Sequence, residues 1–349
     1  MTFTKKKILV LSLFLLIIGV GIGYCSPKIY RKIKVRWENK TRLTLGVPIK
    51  YQDSLTGKNE QSLTEEYWNA HTVNSIPHTL PEDSLAYLDW RSRQYPLFHE
   101  LMDHFGKHDN EVVLDYGCGP GNDLVGFLAY TDAQKIIGMD VSKKALRLAS
   151  HRLSLHRNFD LNRIELIQVE DTTPTIPLSD NSVDFIFCEG VLHHTSYPEK
   201  IIKEFNRVLK PNGKAVIMVY NSQSLWKHLY VAYELQVLKK KFSGLSIDEA
   251  FTKSTDGEDC PIALNYSPSE FMQLCEEAGF QTVYSGGYFS KMELELYHSL
   301  SDKAIADSRL PDDSRRFLKA LSKDRRGYPT YNSKPVGVGG VYLLQKSKQ

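Results

Sequence analysis

The chain has 349 residues and a formal net charge of +3, enough length to bury a full core and more than a bare single-domain enzyme requires. Its five cysteines are odd in number and none sits in Cys-x-x-Cys spacing, which argues against a disulfide framework or a zinc cluster and suits a reducing compartment. Residues 1–43 hold ten Lys or Arg against one acid, so residues 44–349 carry about −6 of the overall +3. A surface of that sign is poorly suited to nucleic acid, whose binding rests on phosphate neutralisation.

From Ile8 to Tyr24 the chain is apolar and uncharged, with Lys5-Lys6-Lys7 before it and seven basic residues against Glu38 in 26–43. Its seventeen residues reach the short end of a membrane span, and the basic excess directs the C-terminal side to the cytoplasm. The expectation is a single-pass anchor over 1–25, a basic juxtamembrane segment and linker over 26–80, and a cytoplasmic catalytic domain over 81–349. A cleaved signal peptide and a peripheral helix are the competing readings, although Tyr24 before Cys25 is too large for the last position of a cleavage site. The basic segment either contacts anionic lipid headgroups or only sets topology. Residues 44–80 read as a polar, irregular linker plus a partly ordered cap.

Ser84 to Phe105 is rich in aromatic residues, and Pro96 should interrupt its helix. Val112 to Leu114 predicts a buried strand that ends at Asp115, where ligands bind in open α/β sheets. Gly117, Gly119 and Gly121 then permit a tight turn that a ligand can approach closely. A second strand, Ile136 to Asp140, ends in an acid able to accept hydrogen bonds from both hydroxyls of a ribose. Val141-Ser142 opens a helix that Ser142 caps, with Ala145, Leu146, Ala149 and Leu153 on one face. The third strand, Ile164 to Val169, leads into Glu170-Asp171. The fourth, Val183 to Cys188, leads into Glu189-Gly190-Val191-Leu192-His193-His194. An amphipathic helix near 198–209, stopped by Pro211 and Gly213, precedes a fifth strand, Ala215 to Tyr220. This alternation predicts a parallel, doubly wound α/β sheet, with additional material at about 222–262 and 288–336.

The run Asp115-Tyr116-Gly117-Cys118-Gly119-Pro120-Gly121 resembles the first motif of the class I S-adenosylmethionine (SAM) methyltransferases, acidic-x-Gly-x-Gly-x-Gly. A nicotinamide-dependent oxidoreductase is the rival, but its fingerprint places a third glycine where this chain has Asn122. Leu192-His193-His194 after strand four and Leu209-Lys210-Pro211-Asn212-Gly213 before strand five narrow the resemblance to the methyltransferase type 11 group, which includes the ubiquinone and menaquinone biosynthesis methyltransferases. It covers about 110–220 and resumes from Tyr266 to Phe280.

The resemblance implies a Rossmann-like, seven-stranded, mostly parallel sheet with helices on both faces, Gly339 to Leu344 being the antiparallel last strand. It implies SAM as cofactor, held by Asp115, Gly117, Cys118, Gly119, Gly121, Asp140, Val141, Asp171 and Glu189, with Asp171 meeting the adenine amino group. Helices before the core would close over the cofactor, bringing Tyr87, Trp90 and Arg91 to the cleft. Insertions after strand five would cover the acceptor, so Asp256 and Tyr266 are candidate substrate residues. Methyl transfer from a sulfonium needs no metal, and His193 and His194 are the candidate bases; the alternative is a helix cap and a packing residue. The expected activity is methylation of a small-molecule, sugar or lipid-linked acceptor near the membrane. A SAM-binding pseudoenzyme acting as a membrane scaffold is the other reading.

Overall fold

A computed structural model describes residues 43–52 and 62–347. The expected anchor over 1–25 and nearly all of the basic segment behind it lie outside the described residues. Among the described residues no helix is long and apolar enough to cross a membrane. Residues 44–73 and 78–349 cluster into one compact unit, and residues 1–43 with 74–77 into another, of which only Leu43 and residues 74–77 are described.

The larger unit holds, in chain order, β1 (Ile49–Tyr51), α1 (Leu63–Ala70), α2 (Pro81–Gln94), α3 (Phe98–Met102), β2 (Val112–Tyr116), α4 (Asn122–Tyr130), β3 (Lys135–Asp140), α5 (Lys143–Ser154), β4 (Ile164–Gln168), β5 (Val183–Glu189), α6 (Pro198–Val208) and β6 (Leu209–Tyr220). Then come α7 (Trp226–Leu238), wound in wide π turns, α8 (Ile247–Thr252), α9 (Pro268–Glu277), β7 (Phe280–Tyr288), α10 (Lys291–Ala306), α11 (Asp312–Lys319), β8 (Ser322–Lys323), β9 (Pro329–Tyr331), β10 (Lys334–Pro335) and β11 (Gly339–Lys346).

The main sheet has the order β1-β4-β3-β2-β5-β6-β11-β7. The pairs from β1 to β6 are parallel, and β11 runs antiparallel between β6 and β7. Parallel strands buried on both faces read as unbroken apolar runs, which is why β2, β3 and β5 were visible in the sequence. The sheet has eight strands rather than the expected seven. The extra one, β1, lies in the stretch read as an irregular linker and pairs with the edge of β4 through Ile49, Lys50 and Tyr51. Three residues, two of them exposed, are too few to show any periodicity. The same stretch also contains α1, whose N-cap Ser62 accepts a hydrogen bond from Glu65 N at 3.1 Å.

One predicted boundary shifts for a local reason. Pro211-Asn212-Gly213 does not end before the fifth strand but bulges out of it. Val183 pairs with Leu209 and Phe185 with Lys214, and Asn212 takes up a left-handed conformation (φ 64°). Pro96 does break its helix: α2 ends at Gln94, and Leu97 turns the chain into α3 with φ 72°. Helix α6 starts on Pro198, whose missing N–H costs nothing at a first turn, and buries Ile201, Ile202, Phe205 and Val208 in one stripe. Helix α7 packs Leu229, Ala232 and Tyr233 into a cluster shared with α10 and α11.

Candidate active site

Strands β2, β3, β5 and β6 end side by side at Tyr116, Asp140, Glu189 and Tyr220. The loop leaving β2 has three glycines at positive φ, +81° at Gly117, +52° at Gly119 and +79° at Gly121. A Cβ on Gly117 would stand 2.1 Å from Val191 Cγ2, whereas one on Gly119 would meet nothing within 4 Å. The loop is therefore packed at its base and open at its middle. Gly117 N and Cys118 N both donate to Met139 O, at 2.7 and 2.8 Å, pinning the loop to β3. Gly119 N donates to Asp140 Oδ2 at 2.8 Å and Ser142 N to Asp140 Oδ1 at 2.7 Å. Burial raises the Asp140 carboxyl to about 6 against the pull of these two amides. Each oxygen keeps a second lone pair for a hydroxyl.

Beside this loop lies a group of buried acids around one guanidinium. Arg91 of α2 reaches Asp123 of α4 through both terminal nitrogens, Nη1 donating to Oδ2 at 2.8 Å, and Nη1 stands 3.6 Å from Glu189 Oε2. The guanidinium lies over the Phe98 ring at 4.5 Å. Asp123 also meets His104 Nε2 at 3.0 Å, and Glu189 accepts from the Tyr288 hydroxyl at 3.0 Å. Although burial opposes it, Arg91 holds the Asp123 carboxyl far below the usual range. At Asp115 the same guanidinium pulls downward but is outweighed. Asp115 is buried, its Oδ2 makes no hydrogen bond among the described residues, and burial, then Asp123 and Glu189, push its carboxyl well up. Burial also raises Glu189. A buried carboxyl oxygen without a hydrogen-bond partner, next to a loop with open space at Gly119, fits a ligand that brings positive charge.

The other expected cofactor residues take different positions. Asp171 binds Ser196 N at 3.1 Å and Ser196 Oγ at 2.5 Å, tying the loop after β4 to the loop after β5. Val141 packs against the apolar core, and its carbonyl accepts from Gln168 Nε2 at 3.3 Å. Cys118 is buried, and burial followed by Asp115 raises its thiol well above the usual value; its sulfur lies 3.1 Å from where a Cβ on Gly138 would stand, so it packs the loop. Of the residues expected at the cleft, Arg91 is central, Tyr87 lies 5.4 Å from the Arg152 guanidinium, and Trp90 is largely exposed.

Past β5 the two histidines part ways. The His193 ring is wholly buried, neither nitrogen has a partner among the described residues, and it packs 3.9 Å from the Tyr220 ring. Burial and the neighbouring His194 hold it neutral. In His194, Nδ1 lies 2.6 Å from Ile262 O and Nε2 lies 3.3 Å from Asp256 Oδ2. Burial alone would lower its pKa, but Asp256 overrides this and raises it to about 9. The Tyr220 hydroxyl donates to the same Asp256 oxygen at 2.7 Å. Helix α1 covers this group: the Tyr67 hydroxyl donates to Asp256 O at 2.6 Å, and the Trp68 ring meets the His194 ring edge-on at 4.9 Å. Tyr266 adjoins the group through its main chain, its N–H donating to Tyr220 O at 2.9 Å, while its ring packs on Phe271.

The structure thus brings Asp115, Asp140, Glu189 and Arg91 to one end of the strand edge, and His193, His194 and Asp256 to the other. Sequence reasoning missed Asp123, Tyr220 and Tyr288, as well as the covering role of Tyr67 and Trp68. Asp123 lies two residues past the last glycine, but only the fold reveals its partner Arg91, 32 residues upstream.

Residues 114–217 match the family model described as a methyltransferase domain. The uncharacterized methyltransferase YcgJ of Bacillus subtilis is 32% identical over 106 residues, covering 30% of this chain and 39% of that protein. The mitochondrial 2-methoxy-6-polyprenyl-1,4-benzoquinol methylase of Caenorhabditis elegans is 25% identical over 175 residues, 50% of this chain and 60% of that protein. The crystal structure of YcgJ superposes with a TM-score of 0.44 at 16% identity, over 77% of this chain and all of that one. The chain spans about 39–60% of the length of the first curated relatives it matches.

Proposed function

We propose, from the match of residues 114–217 to a methyltransferase-domain model, that this chain is a class I SAM-dependent methyltransferase of the type 11 group and that it methylates a small acceptor at the edge between Glu189 and Asp256. The observation that carries the reading is the pairing of an open glycine loop, tethered to Asp140, with the buried Asp115 Oδ2, which has no hydrogen-bond partner among the described residues. In this reading Asp140 takes the ribose hydroxyls, the loop from Gly117 to Gly121 lies along the amino-acid part, and Asp115 with Glu189 balances its positive charge. Asp171 and Val141 border the adenine. The cofactor supplies a methyl group on a positively charged sulfur. The protein contributes position, exclusion of water and a fixed field, which can provide much of the rate in a displacement of this kind.

The acceptor is a small molecule, a sugar or a lipid-linked compound, and the apolar run from Ile8 to Tyr24 supports a single-pass anchor with the catalytic part in the cytoplasm. Calorimetric titration of the full chain with SAM, S-adenosylhomocysteine and NAD tests the cofactor reading. Binding of the first two, weakened by Asp140→Ala, is expected; preference for NAD would overturn it. Protease treatment of spheroplasts tests the orientation, and digestion of the catalytic part from outside would refute it.

A further inference from the structure

We infer that Asp256 is the residue that meets the acceptor, that His194 and Tyr220 are its positioning residues, and that the acceptor is a neutral hydroxyl or amine rather than an anionic nucleophile. The inference rests on the methyltransferase reading and deepens it.

Geometry removes both histidines as the resting base. Each nitrogen of His194 faces an acceptor, a peptide carbonyl on one side and a carboxylate on the other. Only the doubly protonated ring satisfies both, and an imidazolium has no lone pair to offer. His193 is wholly enclosed, between His194 and Tyr220. Asp256 is different. Its side chain is 19% exposed, and the bonds from His194 and Tyr220 converge on one oxygen, using two of about four lone-pair sites on a carboxylate. From the loop after α8 it meets Tyr220, the last residue of β6, and Tyr95 is within electrostatic reach of both Asp256 and Glu189. The groups facing His194 and Asp256 from the surrounding elements include Tyr67 and Trp68 of α1, Tyr95, His193, Tyr220, Thr255 and Cys260.

The charge around this edge selects the nucleophile. The cations here are already engaged, Arg91 by Asp123 and Glu189 and His194 by Asp256. A thiolate, carboxylate or phosphate acceptor would therefore meet Asp256 and Glu189 with no free cation among the described residues of this edge to receive it. A neutral O–H or N–H donates to Asp256 instead. In the transfer a carbon–oxygen or carbon–nitrogen bond forms and the carbon–sulfur bond breaks, its electron pair returning to sulfur. Positive charge moves onto the attacking atom, next to the carboxylate. A hydroxyl then gives its proton to Asp256, while an amine keeps the charge as an ammonium. A weakly basic carboxylate suffices, because the proton becomes strongly acidic only as the new bond forms.

The test uses the full chain, SAM labelled in its methyl group, and total cell extract as the acceptor source, with calorimetry of SAM run alongside. The expected product is an ether or N-methyl compound by mass spectrometry. Asp256→Asn should lower label transfer at least about 100-fold, the scale of losing one oriented charge partner, with SAM affinity within about twofold and partial recovery in Asp256→Glu. Tyr220→Phe, which keeps the ring, should lower it by less. Independently of activity, imidazole nitrogen NMR of the wild-type protein should show both His194 nitrogens protonated at pH 7.5, and Tyr220→Phe should leave that signature in place. A methyl ester or thioether product, unchanged transfer in Asp256→Asn, a neutral His194, or SAM binding without any transfer overturns the inference. Absence of SAM binding overturns the methyltransferase reading itself.

Discussion

Replacing Arg91 by Met isolates the contact that joins α2 to the glycine loop. The aliphatic part of the side chain and its packing on Phe98 survive, while the guanidinium that holds Asp123 with two nitrogens is lost. Both partners are buried, with side chains 6% and 9% exposed, so little solvent screening moderates the loss. Two unit charges about 4 Å apart at an effective dielectric of about 20 interact by roughly 4 kcal/mol, and removing one partner of a buried pair costs about 3–5 kcal/mol. As a hydrogen-bond partner Asp123 would keep only His104, which burial holds below its ordinary pKa and hence neutral near pH 7, beside the carboxyls of Asp115 and Glu189. Asp123→Asn should cost less than Arg91→Met, because Arg91 then retains Glu189 at 3.6 Å. Urea unfolding of both single variants and the double variant at pH 7 gives the coupling energy directly. A loss below about 1 kcal/mol in Arg91→Met, or a coupling energy near zero, would refute the assignment of this pair as the clamp.

The remaining predictions concern pH and the loop. His194 is charged in the folded protein up to about pH 9 but in the unfolded chain only below 6.5. Its contribution, about 3 kcal/mol at about 1.4 kcal/mol per pH unit, is complete below pH 6.5 and lost as pH rises through 9; unfolding of wild type and Asp256→Asn between pH 6 and 10 checks it. Affinity for SAM should rise as pH increases through 6, where Asp140 titrates in the free protein, with proton release visible as a buffer-dependent heat in calorimetry. Gly117→Ala combines a positive φ with a 2.1 Å clash against Val191 and should cost about 2–5 kcal/mol. Gly119→Ala meets nothing and should cost about 1–2 kcal/mol while cutting SAM affinity, because its methyl group occupies the loop's open side; thermal melts with and without SAM separate the two.

Much of the molecule was legible because burial on both faces writes itself as unbroken apolar runs: Val112–Leu114, Ile136–Met139 and Val183–Cys188 each lie within a strand. Ser142 was legible as a cap because its hydroxyl accepts from the nearby Ala145 N at 3.1 Å, while its bonds to Trp68 O and Asn69 Oδ1 come from a distant segment and left no trace in the local sequence. Strand β1 was not, since its three residues are stabilised by pairing with β4, a partner more than a hundred positions away. Asp256 stood out only as an acid in a turn-rich loop; its bonds to His194 and Tyr220 depend on how that loop folds back. The two adjacent histidines look equivalent in sequence, and only their surroundings make one an engaged cation and the other a neutral packing ring. Local chemistry reached the glycine loop, and long-range contacts decide the surroundings of Asp256.

Strand β11 carries a consequence for biosynthesis. It pairs with β6 on one flank and β7 on the other, so the two strands it joins emerge from the ribosome before the one that unites them. Until residues 339–346 are made, β6 and β7 each present an uncovered edge able to recruit a neighbouring nascent chain. The order of synthesis therefore leaves this half of the sheet open until β11 has been made.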